Sequence, residues 1–270
     1  MRYLRAGSGP PLVLLHGLLG YSFSWRFVVE SLSRHATVYC VDMLGTGFSD
    51  RPAGLDATLR GSADRLLRFL DEVGIQRCDL LGSSRGGAAA MMAAALRPER
   101  VRSLILCAPV NPWSAHGRRL AAFLSSVGIS SLFVRLAPRL TLIHGPVLKR
   151  LYGDTRRIAP GTLEGYTEPY RRPGAFRHET AILRTWSRDL EDLKSMLPQI
   201  GNIPTLLLWG SLDRAVLPAS AIPLSHNFRN CRLVVFEGAG HLPYEEVPDQ
   251  FNRAVIEFLS GLPPAKESIC

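Results

Sequence analysis

The sequence has little that would tie it to a metal or to a disulfide framework. Its five cysteines are widely spaced and form none of the CxxC or Cys/His patterns that bind zinc. An odd number of scattered cysteines, four of them in or beside predicted strands, indicates buried free thiols. We therefore expect no metal site and no cofactor. The cysteines are Cys40, Cys78, Cys107, Cys231 and Cys270.

Long apolar segments are also missing. No apolar leader with a cleavage site follows Met1, because the chain passes almost directly into a short apolar run at residues 12–15. The uncharged stretch from Leu120 to Val134 is too short to span a bilayer and carries four serines and a glycine. These features predict a soluble, cytoplasmic protein without stable membrane insertion.

Lysine is scarce, with only Lys149, Lys194 and Lys266 among 32 basic residues, and the formal net charge is +9. Residues 111–200 hold 14 basic and 7 acidic side chains, so most of the excess lies there. No RNA- or DNA-binding motif accompanies the charge, and we expect no nucleic-acid partner. Solvated surface arginines are the simpler interpretation, and attraction of anionic substrates or a membrane surface is the alternative.

Short apolar runs alternate with helical patterns through most of the chain. The runs are continuous rather than alternating, as expected of strands buried on both faces. The helical patterns lie near residues 24–34, 60–73, 85–97 and 247–260. The sequence therefore predicts an α/β fold, with a mostly parallel twisted sheet and helices on both faces. The predicted strands are Leu12–Leu15, Thr37–Val41, Asp79–Leu81, Leu104–Leu106, Thr205–Trp209 and Leu233–Phe236.

The alternation stops between residues 111 and 200, where apolar helical stretches follow one another without a clear strand. We expect a helical cap here, inserted into a core formed by residues 1–110 and 201–270. Its apolar residues at near-helical spacing either pack the cap against the core or form an apolar wall for an acyl or aryl group. The candidate pocket residues are Trp113, Phe123, Leu124, Tyr166 and Trp186.

A serine lies between two glycines where a strand should turn into a helix, in Gly82-Ser83-Ser84-Arg85-Gly86. A nucleophile on so tight a turn is forced into unusual backbone angles, and side chains two residues before and after it would clash. Ligands of open α/β sheets bind at the carboxyl ends of the strands, where this turn lies. Ser84 is therefore the candidate nucleophile, and a plain glycine-rich turn is the alternative.

His241 and Asp213 are the candidate partners of Ser84. His241 lies on a glycine-rich loop just after the last predicted strand, and Asp213 follows the strand before it. A carboxylate beside the imidazole would fix its tautomer and stabilise the imidazolium. The chain order Ser, Asp, His is the one expected for this architecture. Glu237 is a weaker substitute for Asp213, an Asx-turn is the other interpretation of that aspartate, and His16 is expected to be structural.

An oxyanion hole needs two backbone N–H groups aimed at the developing charge. One should belong to Arg85, directly after the nucleophile. The other should come from the loop after the first predicted parallel strand, in "LLHGLLG", with Leu18 as the candidate.

These motifs resemble those of the α/β-hydrolase superfamily, in "LVLLHGLLG", "VDMLGTGFSDRP", "LLGSSRGG", "LLLWGSLDRAVLP" and "EGAGHLPYEEVP". The resemblance implies an eight-stranded core with a variable cap after the sixth strand. It also implies Ser84 as nucleophile, Asp213 as acid, His241 as base, and Leu18 and Arg85 as oxyanion donors. The chain begins close to the first motif, so one leading edge strand should be missing or very short.

Two positions depart from the family pattern. Residue 83 is Ser where His is common, and residue 85 is Arg where an apolar residue or Gln is common. The Arg85 side chain is either a bystander or a contact to the cap or to a substrate carboxylate. Epoxide hydrolases and haloalkane dehalogenases resemble the chain but use Asp as nucleophile, whereas Ser84 indicates acyl transfer.

The sequence thus favours a serine hydrolase that cleaves esters of small to medium lipophilic acyl substrates, without a cofactor. Hydrolysis of a C–C bond in a vinylogous diketone, or of a thioester, is the alternative within this fold. A non-catalytic ligand receptor is the alternative from another class. The oligomeric state is not indicated.

Overall fold

A computed structural model describes residues 1–114 and 141–263, without the side chains of residues 141–143. In the described residues, seven strands form one sheet in the order β1-β3-β2-β4-β5-β6-β7. The first pairs antiparallel with the third, and every other pairing is parallel. The strands are β1 (Tyr3–Ala6), β2 (Pro11–Leu15), β3 (Thr37–Val41), β4 (Cys78–Ser83), β5 (Val101–Cys107), β6 (Thr205–Gly210) and β7 (Cys231–Phe236).

Helices connect the strands and cover both faces of the sheet, which confirms the predicted fold class. Thr58 caps the second of them, because its side chain accepts a hydrogen bond from the Gly61 N–H at 3.0 Å. The helices are α1 (Val29–Ser33), α2 (Leu59–Glu72), α3 (Arg85–Leu96), α4 (Thr141–Leu151), α5 (Thr162–Thr167), α6 (Ala175–Met196), α7 (Ala221–Ser225), α8 (Pro243–Glu246) and α9 (Pro248–Ser260).

Alternate residues of β2 face two separate hydrophobic clusters. Val13 and Leu15 belong to the cluster beneath α2 and α3, and Leu12 and Leu14 belong to the cluster beneath α1 and α9. All four are fully buried. The continuous apolar run in the sequence therefore follows from burial on both faces of the sheet.

Helix α3 is buried on every side. Its sequence, RGGAAAMMAAAL, is almost entirely glycine, alanine and methionine, and residues 85–95 are all buried. Small side chains let its backbone lie close to the sheet on one side and to α2 and α6 on the others. The position of this helix determines where the residue before it, Ser84, is placed.

The strand β1 is a four-residue edge strand, in agreement with a very short leading strand. In the part of the chain that the structure describes, the sheet has seven strands, one fewer than the eight that the resemblance implies. The sequence predicts one continuous helical segment near residues 24–34. In the structure it is divided into a 3₁₀ turn at Ser22–Trp25 and the helix α1.

The described part of residues 111–200 is helical and lies in the chain between β5 and β6. Its division from the core as a separate cap stays a prediction. Phe123 and Leu124 lie outside the described residues. In the two described ranges, no helix is long and apolar enough to cross a bilayer.

The cysteines Cys40, Cys78, Cys107 and Cys231 are all free thiols. The first three are buried and Cys231 is partly exposed. Burial raises the pKa of the Cys40 thiol to about 12 and that of Cys231 to about 11. These two thiols are therefore protonated at neutral pH.

Candidate active site

Ser84 occupies a strained turn between β4 and α3. Its φ of 51° and ψ of −119° lie in a region that L residues rarely adopt. A Cβ at Gly82 would lie 2.5 Å from the Gly86 carbonyl oxygen, and a Cβ at Gly86 would lie 2.5 Å from the His16 carbonyl oxygen. Both glycines are required by backbone contact, as the sequence spacing predicts.

Backbone hydrogen bonds on both sides hold Ser84 in this conformation. Its N–H donates to the Cys107 carbonyl at 2.9 Å, and its carbonyl accepts from the Val110 N–H at 3.0 Å. Strand β5 and the turn after it therefore fix the residue. The side chain is half-buried and lines a cavity above the carboxyl edge of the sheet.

Asp213 and His241 form a buried pair at the same edge. His241 Nδ1 lies 2.7 Å from Asp213 Oδ2, and the residues are 5% and 2% exposed. The other carboxylate oxygen accepts from the N–H groups of Ala215 at 2.7 Å and Val216 at 3.0 Å. Because the Asp213 carboxylate is an acceptor held in one position, Nδ1 of His241 is the donor to it. Nε2 of the same ring is then free to accept a proton. Glu237, the substitute candidate, is exposed.

Ser84 and His241 line the same cavity. The described residues contain no hydrogen bond between the Ser84 hydroxyl and the His241 ring. Such contacts are often long in free enzymes and tighten when substrate binds. The structure thus brings Asp213 and His241 into direct contact and places Ser84, the third predicted catalytic residue, on the wall of the cavity that His241 also lines.

Glu246 holds the loop that carries His241 in place. The sequence alone did not indicate this role. The Glu246 carboxylate accepts the Gly240 N–H at 2.6 Å, the Gly153 N–H at 3.0 Å and the Asp154 N–H at 3.2 Å. It therefore joins the histidine loop to the chain just after α4. In the sequence, Glu246 is the second of two adjacent acids that follow a short apolar stretch after His241.

The neighbouring acid, Glu245, forms a second buried network. Its carboxylate receives two hydrogen bonds from Arg26, at 2.9 and 2.7 Å, and one each from the hydroxyls of Tyr152 and Tyr166. Burial together with the Glu245 charge raises the pKa of both tyrosines, which stay protonated and donate. This network fixes Tyr166, one of the predicted pocket residues.

Leu18 and Arg85, the predicted oxyanion donors, both lie beside the nucleophile. In residues 1–114 and 141–263, neither N–H donates to a main-chain carbonyl. A Cβ at Gly17 would lie 3.0 Å from the Ser84 Cβ, so the loop carrying Leu18 packs directly on the serine. The next residue, Leu19, has a φ of 62°, and this strain fixes the direction of the loop.

The Arg85 side chain is buried and points away from the main cavity. Its Nη2 donates to the Ala57 carbonyl at 2.8 Å, and its Nη1 lies 3.7 Å from Asp189 of α6. Of the alternatives left open by the sequence, the structure favours a contact with the 111–200 segment. His16 has structural contacts as expected, because its Nε2 accepts the Met43 N–H at 3.2 Å.

The cavity above Ser84 has a volume of about 360 Å³ and mostly apolar walls, contributed largely by α4, α5 and α6. Tyr166 and Trp186 line it, as predicted. Trp113 does not, which corrects that expectation. Trp113 is partly buried against the hydrophobic cluster beneath α3, so its ring is used for packing.

One further wall residue, Glu179 of α6, is a buried acid that the sequence analysis missed. Burial raises the pKa of its carboxyl to about 7, while the Arg85 charge and the Leu19 N–H act in the opposite direction. A single glutamate within a helix rich in charged residues gives no sequence signal. Its burial is visible only in the folded chain.

Comparison with known proteins identifies the fold family. A family model described as alpha/beta hydrolase fold matches residues 10–127. Haloalkane dehalogenase 2 of Mycobacterium tuberculosis is 30% identical over an alignment of 270 positions, which covers 95% of this chain and 90% of that protein.

Two solved structures illustrate the range of similar folds. A thermophilic esterase from Thermogutta terrifontis has a TM-score of 0.77 and 26% identity, and the match covers 96% of this chain and 92% of that one. The meta-cleavage product hydrolase CumD of Pseudomonas fluorescens IP01 has a TM-score of 0.78 and 24% identity, with 96% and 93% covered.

The backbone contact at Gly86 predicts a stability effect. Gly86→Ala should destabilise the fold by about 2 kcal/mol or more, because its Cβ meets the carboxyl end of β2. Gly261→Ala is the matched control, since its Cβ would lie 3.5 Å from the nearest atom. Urea unfolding of both variants measures the effect, and equal stabilities would contradict the packing argument.

The raised pKa of Glu179 predicts a pH-dependent stability difference. Its folded pKa of about 7 exceeds the ordinary value of 4.5, so its contribution is present below pH 4.5 and is lost as pH rises through 7. Relative to Glu179→Gln, the wild type should therefore lose up to about 3 kcal/mol between pH 4.5 and 8.

Urea unfolding of both proteins across this pH range tests the point. Glu191→Gln on the exposed side of α6 is the control and should differ from wild type by a constant amount. A difference between wild type and Glu179→Gln that does not vary with pH would show that the Glu179 carboxyl titrates normally.

Proposed function

The chain belongs to the α/β-hydrolase fold family, and from this premise we propose that it is a serine hydrolase acting on esters of small to medium lipophilic substrates. Family and relatives support hydrolase activity in general. The observation that carries the finer proposal is Ser84 on a positive-φ turn, in one cavity with the ring that Asp213 holds. No cofactor takes part in the proposed reaction.

In the proposed reaction the Ser84 hydroxyl attacks the acyl carbonyl while His241 Nε2 takes its proton. The N–H groups of Leu18 and Arg85 stabilise the oxyanion. His241 then protonates the leaving alcohol, and an ester of Ser84 with the acyl group remains. Water, deprotonated by His241, attacks this ester and releases the acid, which restores the Ser84 hydroxyl.

A serine in this place argues against the dehalogenation that the name of one relative suggests. Displacement of a halide by a serine oxygen would leave an alkyl ether, which His241 and water have no means of hydrolysing. Attack on an acyl carbonyl leaves an ester instead, and the same base can hydrolyse it. The chemistry of residue 84 therefore favours acyl transfer.

The cavity supports a lipophilic substrate. Its walls are mainly apolar, and leucines of three helices line it together with the serine: Leu148, Leu151, Leu163 and Leu183. A volume of about 360 Å³ suits an acyl or aryl group of modest size. We propose that residues 111–200 act as the cap that contributes this wall.

A fluorophosphonate probe tests the proposed nucleophile. The wild type should be labelled at Ser84, and Ser84→Ala should lose both labelling and ester turnover, by on the order of a thousandfold or more. Ser83→Ala is the matched control, because Ser83 is a buried neighbour whose hydroxyl lies 3.4 Å from that of Tyr244. This variant should still be labelled.

A series of p-nitrophenyl esters with rising chain length then tests the substrate class. We expect kcat/KM to increase from acetate to medium chains and to fall once the chain exceeds the cavity. Labelling of Ser84 without turnover of any ester would favour a C–C or thioester substrate, or a receptor. Absence of labelling would contradict an activated serine.

A further inference from the structure

Glu179 lies on the same cavity wall as the candidate catalytic residues. It shares one face of α6 with Leu183 and Trp186, four and seven residues further on, and all three line the cavity with Ser84 and His241. The walls around it are mainly apolar. A carboxyl group at this position therefore differs sharply in polarity from its surroundings.

One oxygen of this carboxyl lacks a partner. Glu179 is 4% exposed, and within the described residues its Oε2 is fully buried and has no hydrogen-bond partner, so a ligand in the cavity reaches this oxygen once the side chain rotates toward it. A buried acceptor left in this state costs folding free energy, and a charged one costs more. A ligand group that donates a hydrogen bond to Oε2 would offset part of this free-energy cost. Such a ligand would therefore bind more tightly than one without the donor.

The charges around Glu179 decide which kind of donor fits. Arg85 and Arg51 already act on the carboxylate from one side, and Asp189 lies beside Arg85. An ammonium group in the cavity would add a third positive charge near Arg85 and Arg51. A hydroxyl adds no charge, and it can bond to either the ionised or the protonated carboxyl.

We propose that Glu179 is a specificity-determining residue that accepts a hydrogen bond from a hydroxyl group of the substrate. This inference rests on the proposed function, because it takes the cavity of Ser84 as the substrate site. It narrows the substrate class from lipophilic esters to lipophilic esters that carry one hydroxyl away from the scissile bond.

Matched ester pairs test the inference. On the acyl side they are the p-nitrophenyl esters of 3-phenylpropanoate and 3-(4-hydroxyphenyl)propanoate, and on the alcohol side they are hexyl and 6-hydroxyhexyl butanoate. The wild type should prefer the hydroxylated member of at least one pair by about tenfold in kcat/KM. The 6-(trimethylammonio)hexyl ester should be no better than the hexyl ester.

Two variants separate recognition from folding. Glu179→Leu should abolish or reverse the preference, and Glu179→Gln, which keeps the shape and one neutral acceptor, should reduce it. Glu191→Gln, exposed on the same helix, should keep the wild-type ratio. If Glu179→Leu fails to fold by circular dichroism, the Gln variant alone decides.

Three results would overturn the inference: no preference in the wild type, the same preference in both Glu179 variants as in the wild type, or preference for the ammonium ester. The second of these would also indicate that Oε2 faces the small cavity of about 40 Å³ beside Arg85 and is satisfied by water there.

Binding to a Ser84→Ala protein distinguishes this inference from the proposed function. Calorimetric titration with the two members of the ester pair that shows the preference, with and without Glu179→Leu, measures recognition in the absence of turnover. Tighter binding of the hydroxylated ester only when Glu179 is present supports the inference. If Ser84→Ala still hydrolyses esters, the proposed function fails, and if it is inactive but binds both esters equally, only the role of Glu179 fails.

Discussion

The close approach of α3 to the end of β2 is the constraint on which the site depends. Gly86 places its Cα against the Leu15 and His16 carbonyls, so no side chain fits there. Once this contact is made, the chain must turn from β4 into α3 within one residue, and Ser84 takes a φ of 51°. The same contact brings the loop after β2, with Leu18, beside the serine. One backbone contact thus positions both the candidate nucleophile and a candidate oxyanion donor.

Buried polar contacts attach the described part of the 111–200 segment to the rest of the fold. Asp189 pairs with Arg85, Tyr166 donates to Glu245, and Glu246 accepts from Gly153. Each of these joins the segment to a residue next to a candidate catalytic group or its loop. Such contacts have strict geometry, whereas apolar contacts allow sliding, so they fix the cavity walls relative to the serine.

The sequence predicts the parts of the structure that depend on local rules. Continuous apolar runs indicate buried parallel strands, and the glycines at 82 and 86 indicate the sharp turn, since both follow from sterics over a few residues. The edge strand β1 has no such signal, because a four-residue strand of mostly exposed residues, with one arginine and one tyrosine, has no buried apolar pattern. Its pairing with β3 depends on a neighbour more than thirty residues away.

The sequence indicates an acidic residue's role only where its position along a strand fixes its place in the fold. Asp213 was found because it follows a strand whose end had to lie near His241. Glu179, Glu245 and Glu246 were missed, because their burial depends on which helices pack around them. Trp113 was misplaced for the same reason: an aromatic residue near the end of β5 could face either the cavity or the core, and only packing decides between them.

The two buried carboxyls of the site differ in how completely the protein satisfies them. Asp213 receives the His241 ring on one oxygen and two backbone N–H groups on the other, so its bonds hold one geometry. Glu179 is as deeply buried, yet Oε2 has no partner in the described residues, and burial raises its pKa to about 7. Replacing it with an apolar side chain would remove this cost, so its presence is better explained by a bond made outside the chain than by stability. The protein therefore fixes the Asp213 carboxylate in one geometry through its own contacts, whereas the Glu179 carboxyl is buried with one oxygen unpaired in the described residues.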